Sequence, residues 1–165
     1  MSPEQAGGRG HLWRVDSLEQ TGAFGPQGDV GSPGANGVFV KLSPDDLRVV
    51  TIGADHAARV WDLASGMPLS EPLRHSDTIT SAEFALDAET LVTTSRDGTA
   101  QVWNVRTGRA RTPPLRHGGA VLTAIVLSGG AGLVTLSEEK RLKFWDLASG
   151  NLLRTVEGDY FGSTP

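Results

Sequence analysis

The chain has 165 residues, long enough for one domain with a core of its own, and its 15 basic and 19 acidic side chains give a net charge of −4 and a pI near 5.5. That balance lacks the basic footprint of a general nucleic-acid binder, so no nucleic acid is expected as a partner. Without cysteine, disulfides and thiolate metal sites are excluded. The longest apolar run, 120–127 broken by one Thr, is far too short to span a bilayer, and the polar, Gly-rich start has no signal-peptide core. A cytoplasmic chain with no membrane partner is the expectation.

Residues 1–10 read as a disordered lead-in. His11-Leu12-Trp13-Arg14-Val15-Asp16 is a worn copy of a Trp-Asp strand that recurs later, with Thr21-Gly22 standing where Ser65-Gly66 stands in the next copy. Glycine then occupies every third position from Gly22 to Gly37, with Pro26 and Pro33 between, which is the pattern of a collagen triple helix. So few triplets flanked by regular repeats make a weak compositional signal; the segment is read as a Gly-rich loop, and a trimer held by it is the alternative.

From Val38 the alternation of apolar and polar residues becomes regular. Strands are expected at 38–42, 47–52, 57–63 and 67–73, then at 79–86, 90–95, 99–105 and 109–115, and last at 121–127, 133–137, 142–147 and 152–156. Pro68, Pro72, Pro113 and Pro114 all fall in a fourth strand, and a residue without an N–H belongs on an edge.

Trp61, Trp103 and Trp145 are spaced 42 residues apart, and the match around them is long. Val60-Trp61-Asp62-Leu63-Ala64-Ser65-Gly66 returns as Phe144-Trp145-Asp146-Leu147-Ala148-Ser149-Gly150, Pro72-Leu73-Arg74-His75 returns as Pro114-Leu115-Arg116-His117, and Val50-Thr51, Val92-Thr93 and Val134-Thr135 keep phase. A repeat of this length with four strand patterns and a Trp-Asp pair is the mark of a propeller blade. Over roughly residues 37–159 the chain resembles the WD-repeat β-propellers, and its Pro-Leu-Arg-His spelling is similar to the repeats of bacterial members.

The resemblance implies an all-β fold: a partial β-propeller of three four-stranded antiparallel blades, 37–75, 76–117 and 118–159, with a tail at 160–165. The Gly-rich loop and the outer strands of a preceding blade, left as a remnant, would occupy 11–36. Closed propellers have about four to eight blades, so the chain is expected to be a piece of a larger propeller or an arc that self-associates to close the ring.

The same resemblance implies a hydrogen-bonded structural tetrad in each blade, made in the second by His75, Thr93, Asp97 and Trp103. The third would use His117, Thr135 and Trp145 with Glu139 in place of Asp, so the longer side chain must buckle or the bond is lost. The first would use Thr51, Asp55 and Trp61, with Pro33 where its histidine is due. An indole N–H buried between blades needs an acceptor, and an imidazole held by a carboxylate has a fixed orientation. Hydroxyl, imidazole and carboxylate also spell a nucleophilic triad, yet a set that recurs in every blade and is buried points to architecture.

No cofactor or metal is expected: His11 and His56 have no partners at metal-ligand spacing, Asp45-Asp46, Asp87 and Glu89 fall in turns and form no catalytic carboxylate pair, and Gly129-Gly130 and Gly132 precede no helix that would take a phosphate. The expected function is a non-catalytic protein–protein interaction scaffold. A protein or peptide would bind the turn-bearing face through His56, Asp77, Thr78, Arg96, Gly119, Glu138 and Lys140. The alternative is a regulatory or sensor part of a larger bacterial enzyme such as a protein kinase, a link carried by the resemblance alone.

Overall fold

A computed structural model describes residues 10–13, 20–24 and 39–158. The lead-in 1–9, most of the Gly-every-third stretch, Pro33 and the tail 160–165 lie outside the described residues. Fourteen strands are described and no helix: β1 Gly10–Trp13, β2 Gln20–Phe24, β3 Val40–Leu42, β4 Arg48–Ile52, β5 Ala57–Asp62, β6 Leu73–Arg74, β7 Ile79–Phe84, β8 Thr90–Ser95, β9 Thr99–Asn104, β10 Leu115–Arg116, β11 Val121–Val126, β12 Gly132–Ser137, β13 Arg141–Asp146 and β14 Leu152–Glu157. The strands β3 to β6, β7 to β10 and β11 to β14 form three antiparallel four-stranded meanders, and β1 pairs with β2 separately. The described part of the worn Trp-Asp copy, His11 to Trp13, lies in a two-stranded ribbon, with Leu12 opposite Gly22.

Val, Ile, Thr and aromatic residues on a pleated, half-buried surface produce these strands, and burial shows how the sheets stack. Every residue of β4 and of β8 is buried, so both faces of these strands are covered. One core joins Val50, Ile52, Ala58, Val60 and Leu73 of the first blade to Ile79, Ala82, Phe84 and Leu91 of the second. A second core joins Val92, Ala100, Val102 and Leu115 to Val121, Ala124, Leu133 and Trp145 of the third. On β12 only Leu133, Thr135 and Ser137 are buried, and β14 is exposed throughout except at Val156.

The fourth strands differ from expectation. The first and second blades have only two residues in theirs, preceded by single bridges between Trp61 and Pro68 and between Trp103 and Ala110. Pro68, Pro72, Pro113 and Pro114 cannot donate to the ladder and cut it short. Without proline, β14 runs for six residues.

Three turn positions per blade carry a left-handed backbone, each recurring at the 42-residue period: Asp46, Ala88 and Gly130; His56, Gly98 and Lys140; Gly66, Gly108 and Gly150. Gly98 meets this demand at φ 82° without strain, whereas His56 at 58° does so with a Cβ against the carbonyl.

Candidate functional site

In the second blade, Thr93 sits mid-strand on β8, Trp103 on β9, His75 at the exit of β6 and Asp97 in the β8–β9 turn. The Trp103 indole Nε1–H donates to Thr93 Oγ1 at 2.7 Å. His75 Nε2 lies 2.7 Å from the same oxygen, and His75 Nδ1 lies 3.0 Å from Asp97 Oδ2. A carboxylate accepts only, so Nδ1 carries the proton and Nε2 accepts from the Thr93 hydroxyl. The direction of the chain is therefore fixed from indole to hydroxyl to imidazole to carboxylate.

The imidazole of His75 is 3% exposed, and burial lowers its pKa even though Asp97 pulls the other way. Burial of Asp97 favours its neutral form, but bonds from the Thr99 hydroxyl, His75 and the Ser76 N–H outweigh it and hold the carboxyl at about 2. These contacts anchor the β8–β9 turn and the loop into β7 to the blade interior.

The third blade has only part of this chain. Trp145 Nε1 donates to Thr135 Oγ1 at 2.8 Å, and His117 Nε2 lies 2.7 Å from that oxygen. Glu139 turns to Arg141 Nη1 at 3.1 Å, and His117 Nδ1 is buried with no partner among the described residues. Residue 118 beside it is glycine, and a Cβ there would stand 2.8 Å from the Glu139 carboxylate as it is now placed. Burial first, then the nearby Lys143 and Arg141 charges, lower the His117 pKa to about 4. In the first blade Trp61 Nε1 donates to Thr51 Oγ1 at 2.9 Å. Asp55 is gripped there by both Nη atoms of Arg59, at 3.1 and 2.7 Å, with Arg74 beside it, and these contacts lower its pKa against the opposing effect of burial.

Thr93, His75 and Asp97 have the connectivity of a nucleophile, its base and an orienting carboxylate. Thr93 is nonetheless 0% exposed, and its oxygen already accepts the indole N–H. Among the described residues no group of three His, Cys, Asp or Glu could hold a metal, and no helix is long and apolar enough to cross a membrane.

The turns of β4–β5, β8–β9 and β12–β13 and the links into β7 and β11 lie at one end of the sheets. Arg96 N donates to Thr78 O, Glu138 N to Ala120 O, and His75 N to His56 O. Asp77, Arg96, Glu138 and Lys140 are exposed there, while His56, Thr78 and Gly119 are half-buried. This end brings both signs of charge into one surface.

Sequence reasoning missed the staple between the first two blades. Arg48, 7% exposed, donates from Nη1 to Ala88 O at 2.8 Å and from Nη2 to Glu89 Oε1 at 2.9 Å, while Arg106 Nε holds the other side of Glu89. On the inner strands Lys41 pairs with Glu83.

Residues 66–104 match the WD40 family, described as the WD domain, G-beta repeat. That span combines β6 of one blade with β7, β8 and β9 of the next. The comparison with curated proteins gave no match. Among solved structures, the crystal structure of the computationally designed Ika8 protein superposes with a TM-score of 0.74 at 23% identity, over 90% of this chain and 43% of that one. This likeness is one of fold, and the chain spans less than half the length of that structure. Residues 66–104 thus carry a WD repeat, and the described strands of the chain fold as blades of a partial β-propeller.

Proposed function

We propose that the chain is a non-catalytic interaction scaffold that presents its turn-bearing end to a protein or peptide, within an arc extended by further blades. WD40 repeats generally serve protein interaction, and the observation that carries the reading here is the buried Thr93. The groups with chemical potential face inward and are spent on one another, while the turns they anchor face out. Such turns on a rigid sheet stack are pre-organised for recognition. The alternation of Asp77, Arg96, Glu138 and Lys140 suits a polypeptide with both signs of charge better than a phosphate backbone.

Extension of the arc is supported by the outer face of the third blade. The register places Ile125, Val134 and Phe144 in one row and Leu136, Leu142 and Val156 in the next. Val92, Ala100 and Val102 are fully buried, whereas their counterparts Val134, Leu142 and Phe144 are only half-buried and Ile125 beside them is 58% exposed. A following blade, or another copy of the chain, would cover this face.

Charge reversal at Asp77, Arg96 and Glu138 should abolish binding of a purified partner and leave the tryptophan fluorescence unchanged. Binding that survives all three reversals would place recognition elsewhere. Size exclusion with light scattering separates a monomer from a closed assembly. Turnover of an ester or peptide substrate that Thr93→Ala abolishes in a folded protein would reverse the non-catalytic assignment.

A further inference from the structure

One residue position, met three times at the 42-residue period, is filled differently in each blade: Arg59, Gln101 and Lys143. In the first blade the Arg59 guanidinium lies against the turn carboxylate of Asp55. In the third the Lys143 ammonium stands 5.6 Å from the Trp145 ring centroid and donates to Arg116 O at 2.8 Å, closing the groove between the outer parts of the second and third blades. Only the second blade has a neutral side chain here. Its amide turns away, donating to Thr112 O at 2.7 Å and Val102 O at 3.3 Å. A cavity of about 220 Å³ lies there, lined by Arg74, His75, Asp97, Gln101, Trp103 and Arg116 among others.

The cavity keeps the groups that hold Lys143 in the neighbouring groove. Trp103 is half-buried, so part of its ring is open. The bond from His75 N to His56 O puts Arg74 and Ala57 in a non-hydrogen-bonded pair, with the Arg74 carbonyl pointing out of the ladder. The bond from His117 N to Gly98 O does the same for Arg116, whose carbonyl takes the lysine. The second groove also has the Asp97 carboxylate, 11% exposed, where the third blade has only the diverted Glu139.

We infer that the groove between β6 and β9–β10 is a binding site for a lysine or arginine side chain of a partner polypeptide. The alkyl stem would lie along Trp103 and the cationic head at the Arg74 carbonyl, with Asp97, whose oxygens already take the His75, Ser76 and Thr99 donors, acting as a nearby negative charge and not as a hydrogen-bond acceptor. Lys143 is an internal copy of that ligand, and face-on placement of a cation over indole is the favourable geometry. Arg116, exposed and without a charged partner among the described residues, stands at the same groove and suits an acidic residue flanking the basic one on the partner. This rests on the interaction reading and names a ligand class for it, at a groove that borders the turn residues at Asp97 and extends away from them along Gln101 and Trp103. The two fail separately, because variants of the turns test one and variants of Gln101 test the other.

The test is titration of the full chain with acetylated, amidated tripeptides carrying lysine, arginine or norleucine between glycines, followed by the indole N–H resonances, with Trp103 assigned through Trp103→Phe. The lysine and arginine peptides should shift Trp103 saturably and the norleucine peptide should not. Gln101→Lys, which installs the plug of the third blade, should weaken binding about tenfold or more by occupying the site. Unmoved Trp61 and Trp145 resonances report that the variant is folded, and Gln101→Arg, copying Arg59, serves if it is not. No saturable Trp103 shift, an equal shift with norleucine, or full affinity in a folded Gln101 variant would overturn the assignment.

Discussion

Glu139→Asp should stabilise the protein, although it shortens a side chain that now makes an ion pair. The second blade shows the geometry to be gained: Asp97 Oδ2 lies 3.0 Å from His75 Nδ1, whereas His117 Nδ1 is buried and unpaired among the described residues. Supplying that donor with a carboxylate gains about 1.5–3 kcal/mol, as charge-assisted bonds do. Losing the exposed Glu139–Arg141 pair costs about 0–1 kcal/mol. The gain is trimmed further because Arg141 and Gly118 stand where Thr99 and Ser76 support Asp97, so the net expected is about 1–2 kcal/mol.

Urea unfolding at pH 7 followed by tryptophan fluorescence reads this directly, and the acid response gives an independent check. In the wild type, His117 has a folded pKa of about 4, below its unfolded value. Its contribution is therefore whole above pH of about 6.5 and drains as pH falls toward 4. A carboxylate on Nδ1 raises the folded pKa and flattens that loss. A variant no more stable than wild type at pH 7, with an unchanged slope between pH 6.5 and 4, would refute the reasoning.

Thr93→Val should cost about 2–4 kcal/mol, because it orphans both the Trp103 N–H and the His75 ring, and Thr51→Val only about 1–2 kcal/mol for a single orphan; equal losses in denaturant titration would count against the relay. Arg48→Met should lower stability by about 1–3 kcal/mol by releasing Ala88 O and Glu89, and hydrogen exchange should locate the loosening at the turn between β7 and β8. His56→Gly should raise stability by about 0.5–1 kcal/mol, read as a higher urea midpoint, since it relieves a left-handed backbone and removes a buried Nδ1 unpaired among the described residues; a lowered midpoint would contradict this.

What could be read from the sequence was whatever repeats. The spacing of Trp61, Trp103 and Trp145 placed the sheets, and Thr51, Thr93 and Thr135, which keep one phase of it, are where the three indoles donate. The repeat also obscured what differs between copies. Four prolines mark an edge, and the alternation around them reads as a full strand although each lacks the N–H a ladder needs, so only two residues pair in β6 and in β10. The room that Gly118 leaves for Glu139 depends on a contact between residues distant in sequence, each unremarkable alone. Arg48 reaches Glu89 across an interblade gap, and no local pattern signals such a bond. The left-handed positions of Asp46, His56, Ala88 and Lys140 were accessible in principle, since Gly98 and Gly130 stand at the same phase.

The matched unit and the folded sheet are out of step, for residues 66–104 take the rim strand of one sheet and the interior of the next. A gene that loses one in-phase length, joining Ser65 to Gly108, would hand β5 the strand β10 as its new neighbour and leave every sheet four strands wide. Gains and losses of whole units can thus alter the circumference without a frayed seam, so the number of blades is free to drift under unequal crossing-over while each junction stays intact.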